Sequence, residues 1–479
     1  MPAHPRPVGL VLLLGCVLLL PLLFPAGMFL DGIIYAGLAL NLSKGIGGFW
    51  QLTLTPTFLH TFNEHPPLGI WIQSLFFRVL GDHYLVEKLY GLVLVVLTAA
   101  AIRALWREIR WPVTEFRDFW WVPILLWVLI PKWAWAYRHN VLEITLTLFC
   151  LLAVWLQLRA FNADSRARAV VFGLLAAAAT VAAVLVKGPV ALFVLAGPLV
   201  GLLLVPDSAR VRLKPLVAGF GLGLAAAGLA LALYPPANTA LAAHFQEQVL
   251  ATLYGARTPD DFSRLDWIPE IATKALVPLA AVGITAWICR NKAAAAFDRA
   301  SMRHALGFLL IALSASLPLI ASPRVSGHYL VPSLPFFALA GGVWMTAILV
   351  RAYGGRADAF RAAPGKWYRA GLAIGLVVVT GWSLLQIGEV RRNNDYHHDL
   401  ALISRAVAPE PVIGIDPEMY EDWYLHAIAH RHFGLALDPD FRRRHYLLAD
   451  RGLDRPDPAG YRPEPLPTVR WELLRRDHQ

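Results

Sequence analysis

Charge is what this 479-residue sequence has least of: Asp, Glu, Lys and Arg together make up 16% of it, where a soluble globular chain carries about a quarter. With 57% hydrophobic residues and a mean hydropathy of +0.52, the scarcity excludes an ordinary soluble domain and a disordered chain, and leaves a membrane protein. Cysteine is scarce too. Cys16, Cys150 and Cys289 all lie in or beside apolar stretches, which excludes a disulfide scaffold and reads as small buried hydrophobes. No repeat of fixed period is visible, which sets aside solenoids and propellers. The formal net charge of +10 is too dispersed for a nucleic-acid footprint, because the basic residues fall in short loops between apolar runs.

Apolar runs are what the sequence has most of. Runs long enough to cross a bilayer, about 16 to 22 residues, fall at 8–28, 84–105, 119–136, 141–158, 169–186, 188–205, 215–234, 272–289, 305–321, 328–350 and 369–388. The expected fold is therefore an all-α polytopic membrane protein with about eleven transmembrane helices. Pro66–Leu80 is shorter and opens on two prolines, as a juxtamembrane helix does. Arg and Lys crowd the alternate loops at 103–117, 159–168, 210–214, 290–303 and 351–369, so the positive-inside rule places these and the N-terminus in the cytoplasm. The first run reads as a retained span, because its apolar stretch is long and its cleavage signal weak.

Two long loops, 29–83 and 235–271, and the polar segment from 389 onward then fall on the periplasmic side of a bacterial inner membrane. The division is a transmembrane domain over 1–388 and a small domain over 389–479. That last segment carries 13 Lys plus Arg against 16 Asp plus Glu and reads as a loop-rich cap, with turn signals at Asp416-Pro417 and Asp438-Pro439.

Ionisable residues at the ends of spans are costly and recur here on the outer side. Asp31 precedes Tyr35 by four residues, so a helix puts carboxylate and phenol on one face. Asn63, Glu64 and His65 precede Pro66-Pro67, and later outer ends supply Lys88, Arg138, Glu143, Lys187, Arg324, His328 and Tyr329. Each alone is also readable as a residue anchoring its helix in the lipid headgroups. Together they make one acid and several cations around an outer cavity. That set suits attack of an acceptor hydroxyl on a sugar carrying a phosphate leaving group, with the carboxylate as base and the cations on the departing phosphate. The one Asp-x-Asp, Asp438-Pro439-Asp440, lies away from this set, against a soluble nucleotide-sugar donor.

At these residues the sequence resembles the GT-C membrane glycosyltransferases of the protein O-mannosyltransferase and lipid A aminoarabinose transferase type. The likeness rests on Asp31-Gly32-Ile33-Ile34-Tyr35-Ala36, on His65-Pro66-Pro67-Leu68-Gly69 with Phe77-Arg78-Val79-Leu80-Gly81-Asp82, on Lys187-Gly188-Pro189, and on His328-Tyr329-Leu330-Val331-Pro332 with Pro335. It covers about the first 350 residues in order. The resemblance implies a GT-C-like fold, a polyprenyl-phosphate-sugar donor, Asp31 as catalytic base, and His65, Lys88, Lys187 and Arg324 around the donor phosphate. Tyr35, Glu64, Arg138, Glu143 and Tyr329 are candidates for positioning substrate. Relatives carry a second acid where Gly32 stands, which leaves Asp31 the lone base, and Arg where Lys88 stands.

Glu64 and His244 are also candidate ligands for a divalent metal, two residues being too few to define a site. The acceptor is a hydroxyl or phosphate of lipid A, another glycan or a protein; the partners are the lipid-linked donor, that acceptor and membrane lipids, and no nucleic acid. The rival readings are a transporter or flippase of lipid-linked sugars, which calls for charges near the bilayer midplane, and an inactive relative that binds polyprenyl phosphate only.

Overall fold

The computed structural model describes residues 6–111, 114–254, 263–290, 298–322, 326–353, 365–408, 410–452 and 460–477. The helices follow the apolar runs in order: α1 (Arg6–Leu23), α2 (Leu30–Ser43), α3 (Leu68–Leu80), α4 (Leu85–Glu108), α5 (Trp121–Leu129), α6 (Lys132–Arg138), α7 (Glu143–Phe161), α8 (Arg166–Lys187), α9 (Gly197–Leu204), α10 (Leu213–Leu233), α11 (Pro235–His244), α12 (Trp267–Ile288), α13 (Arg299–Ser316), α14 (Leu334–Tyr353) and α15 (Lys366–Leu384). By length and composition, eight helical segments among the described residues can cross a membrane. The protein is a multi-pass helical bundle.

The spans differ in detail from the runs. The run at 119–136 is broken, its two pieces meeting at 76°, because Pro131 cannot continue the ladder of hydrogen bonds. The first run stops at Leu23, so Asp31 is not at the end of the first span. It lies in the first turn of α2 instead, a separate helix whose residues 32–42 are all buried.

Arg166–Leu204 is one continuous apolar stretch of 39 residues, yet it cannot be one straight helix. Gln157 donates to the Val194 carbonyl, and a Cβ on Gly201 would meet the Phe161 ring, so α9 runs alongside α7 in the same direction. Arg212 donates to the carbonyls of Ala163 and Asp164, just before α8 begins. Since α8 follows α7 through a short turn, the chain reverses at Lys187-Gly188, where Gly188 has φ +71°, a conformation that costs glycine little. Alongside, α8 and α10 pack backbone to backbone. A Cβ on Gly219 would stand 2.2 Å from the Val170 carbonyl oxygen, the close approach that small residues allow between membrane helices.

The C-terminal segment departs most from expectation, being a folded α/β unit rather than loops. Helices α16 (Asn394–Ala406) and α17 (Trp423–Phe433) flank a five-stranded sheet of β1 (Val412–Ile415), β2 (Ala436–Asp438), β3 (Tyr446–Asp450), β4 (Tyr461–Pro463) and β5 (Trp471–Arg476). The order is β2-β1-β3-β5-β4, with β1 parallel to β2 and β3 and the rest antiparallel. Asp399 on α16 accepts the backbone amides of Val469, Arg470 and Trp471 at 2.8, 2.7 and 3.0 Å. Burial alone would raise its pKa, but these amides and the His398 imidazole outweigh it and hold the carboxyl low.

The unit is tied to the bundle through α17. Arg431 donates to Asp82 and to Glu87, each at 2.9 Å, and lies over the Phe77 ring. Tyr420 donates to the Thr57 carbonyl at 2.6 Å.

Candidate active site

Asp31 and Tyr35, one helical turn apart on α2, both line a cavity of about 660 Å³, within the ~300–1,000 Å³ of small-molecule sites. A carboxylate in the first turn of a helix is stabilised by the unpaired amides there. Asp31 is a third exposed to the cavity, while Tyr35 is buried except for its contribution to the wall. Gly32 explains why the acid is single. A Cβ there would stand 1.9 Å from the His139 carbonyl oxygen, and Asn140 donates to the Gly32 carbonyl at 3.2 Å. Backbone lies where a second acidic side chain would have to begin.

Glu64, Ser326, His328 and Tyr329 continue the cavity wall. His328 Nε2 lies 3.9 Å from Asp31 Oδ2 and 3.6 Å from Glu143 Oε1, and its Nδ1 shares a 2.5 Å hydrogen bond with Ser326 Oγ. Behind it, Lys187 Nζ donates to Glu143 Oε1 at 2.6 Å with both side chains almost fully enclosed, and sits 5.0 Å from the centre of the Tyr329 ring. Burying two ions costs several kcal/mol each, recovered only where the remaining lone pairs and protons are also matched. Here they are not: Glu143 Oε2 and His328 Nε2 are buried without a hydrogen-bond partner. Asp31, His328, Glu143 and Lys187 form a chain of carboxylate, imidazole, carboxylate and ammonium leading from the cavity to the turn at Gly188.

His65 stands on the other side of Tyr35, with ring centres 5.7 Å apart, and 6.2 Å from His244. Burial, then the charges of Lys187, His244 and His328, push its pKa well below the usual histidine value, so it is neutral at pH 7. His244 pairs through Nδ1 with the Asn63 carbonyl at 3.1 Å. Gly188 is needed here a second time, because a Cβ on it would lie 2.7 Å from His244 Nε2. No group of three or more His, Cys, Asp or Glu side chains converges among the described residues, so Glu64 and His244 do not gather a metal-ligand set. In the C-terminal unit, Asp438 and Asp440 are ion-paired with Arg444 and Arg443.

Two expected members of the site are not brought to the cavity. Lys88 is buried under the C-terminal unit, donating to the Arg138 carbonyl at 3.2 Å beside the Glu87–Arg431 pair, and Arg138 lies there with it. The reason is tertiary: α4 turns this face toward α17, which sequence spacing could not reveal. Arg324 lies outside the described residues. Two residues of the site were missed. Lys132 lies within electrostatic reach of Glu143 and His328, although it reads as a lone loop cation. Trp423, from the C-terminal unit, lines the cavity directly.

The architecture is a polytopic helical bundle in which Asp31 opens a helix at a cavity that the C-terminal unit helps to wall. Solved structures share this architecture. ArnT from Cupriavidus metallidurans in the apo state superposes with a TM-score of 0.61 at 16% identity, over 96% of this chain and 95% of that chain. The same protein bound to undecaprenyl phosphate gives 0.60 at 15%, over 98% and 96%. The archaeal oligosaccharyltransferase AglB from Archaeoglobus fulgidus, in complex with an inhibitory peptide and a dolichol-phosphate, gives 0.50 at 10%, over 92% of this chain and 69% of that one. No family model and no curated protein sequence matches the chain. The shared fold is that of GT-C glycosyltransferases, as the sequence resemblance implied.

Proposed function

We propose that this protein is an inverting glycosyltransferase of a bacterial inner membrane, moving a sugar from a polyprenyl phosphate to a hydroxyl on lipid A, another envelope glycan or a protein. The observation that carries the reading is Asp31: a helix-end carboxylate opening on a cavity whose inner wall leads to a buried lysine. The acceptor oxygen attacks the anomeric carbon, the bond from that carbon to the phosphate oxygen breaks with its electron pair, and the acceptor proton passes to Asp31. Lys187 and Arg324 then stabilise the phosphate charge, with His65 as a further hydrogen-bond donor. Glu143 holds Lys187, while Tyr35, Glu64 and Tyr329 shape the space for donor and acceptor. No step is assigned to a metal, and Lys88 and Arg138 are given a structural part. The undecaprenyl phosphate of the ArnT structure and the dolichol-phosphate of the AglB structure support a lipid phosphate as leaving group.

The reading includes eleven passes with the N-terminus in the cytoplasm, and a division near residue 388 with the second part in the periplasm. The basic loops support this orientation. The test is release of polyprenyl phosphate from lipid-linked sugars by purified protein supplied with a cell-envelope extract. Acceptor-dependent release that Asp31→Asn abolishes, with donor binding kept, is the expected result. Binding without release by the unaltered protein would assign it as a binding-only relative, and transport of the intact lipid-linked sugar as a flippase.

A further inference from the structure

We infer that Trp423 makes a sugar-binding subsite, so that the C-terminal unit is a working part of the site; the inference rests on the reading above. In open sheets with parallel strands, ligands bind beyond the carboxyl ends of the strands, where neighbouring connections leave in opposite directions. Here β1 meets that condition, with β2 on one side and β3 on the other. The chain leaving β1 runs through Asp416 to Asp422 and delivers Trp423 as the first residue of α17. That end of the sheet faces the bundle, where Tyr420 is bonded to Thr57 and Trp423 lines the cavity that holds Asp31.

The tryptophan is held in place from three directions. Asp422 caps α17 by accepting the Leu425 amide at 3.1 Å and is itself bonded by the Tyr396 hydroxyl at 2.5 Å. Phe58 meets the Trp423 ring at 5.2 Å and 89°, an edge-to-face contact. The neighbouring Tyr424 hydroxyl accepts the Leu30 amide at 3.1 Å and the Arg392 guanidinium at 2.8 Å, fixing α17 to the turn that carries Asp31. A rigid aromatic ring on the wall of the cavity that also holds Asp31 and Glu64 suits one chemical class, the carbon–hydrogen face of a pyranose or furanose ring. The subsite therefore reads the transferred sugar and not the lipid phosphate.

The experiment compares binding of undecaprenyl phosphate with binding of undecaprenyl-phosphate-linked hexoses and pentoses, for the unaltered protein, Trp423→Ala and Trp423→Phe in detergent. Trp423→Ala is expected to weaken the sugar-bearing lipids by about tenfold and to leave bare undecaprenyl phosphate within about twofold, with Trp423→Phe retaining most of the affinity. Equal losses for both ligands would mark a structural role, and no loss for either would remove Trp423 from the site; both overturn the inference. If the unaltered protein binds none of these lipids, the glycosyltransferase reading itself fails and the subsite with it. Melting temperature of each variant separates loss of binding from loss of fold, and Trp423→Phe decides the question should Trp423→Ala not fold.

Discussion

Among the described residues, two clusters of ionisable side chains each bring acids and a lysine into the interior, and one of them opens on a cavity. In the first, Asp31, His328, Glu143 and Lys187 lead inward from the cavity wall. In the second, Glu87, Lys88 and Arg431 are sealed between α4 and α17, with Asp82 pairing to Arg431 from the exposed rim. Burial does not separate them, nor does incomplete hydrogen bonding, since Glu143 Oε2 and Glu87 Oε1 both lack a partner. What separates them is access: one set can meet a ligand, while the other fastens two parts of the chain together.

The comparison predicts opposite phenotypes. Asp31→Asn should lower turnover by about 10²–10⁴-fold, the usual share of a general base, with the melting temperature unchanged; a stability loss in its place would move Asp31 into the fastening set. Arg431→Met should do the reverse, costing about 3–5 kcal/mol by leaving Glu87 buried and unpaired, read as early thermal unfolding or proteolysis of the C-terminal unit. The double change Arg431→Met with Glu87→Leu should recover most of that loss, as replacement of a whole buried pair often does. Gly32→Ala should cost about 1–3 kcal/mol through overpacking against the His139 carbonyl, and lower activity with it by displacing α2.

The smallest effect concerns pH. His65 is neutral in the empty site because its pKa is depressed. Below the unfolded value of about 6.5 the unfolded chain therefore binds more protons, so acid destabilises the empty protein. An arriving phosphate anion favours the protonated imidazole, so donor binding should tighten as pH falls through the imidazole's pKa in the liganded site, by at most about tenfold per unit. His65→Gln should flatten that dependence in a binding titration.

How much of this was legible in the sequence depends on distance along the chain. Asp31 and Tyr35 share a cavity because they are one helical turn apart, and the apolar runs located the helices because hydropathy is local. The Glu143–Lys187 pair joins residues 44 apart, and each side chain alone reads as a helix-end charge. Lys88 was misassigned because its surroundings are set by Arg431, which bonds Glu87 from 344 residues away. The C-terminal unit read as loops because its strands are three to six residues long and carry no clear alternation of polarity. Trp423 was hidden for that reason, since nothing marks a tryptophan as ligand-facing until the strand before it is known to end at a cavity.

The contact at Gly32 also limits what this protein can become. The atom in the way is a main-chain oxygen, which no substitution at His139 removes, so a second acid beside Asp31 requires the turn at 139–140 to move as well as residue 32 to change. Each alteration alone is expected to be harmful, and a paired-acid descendant is therefore separated from this sequence by a fitness valley that single mutations cannot cross. Directed evolution toward paired-acid chemistry should accordingly begin with insertions or deletions between α6 and α7, and only then vary position 32.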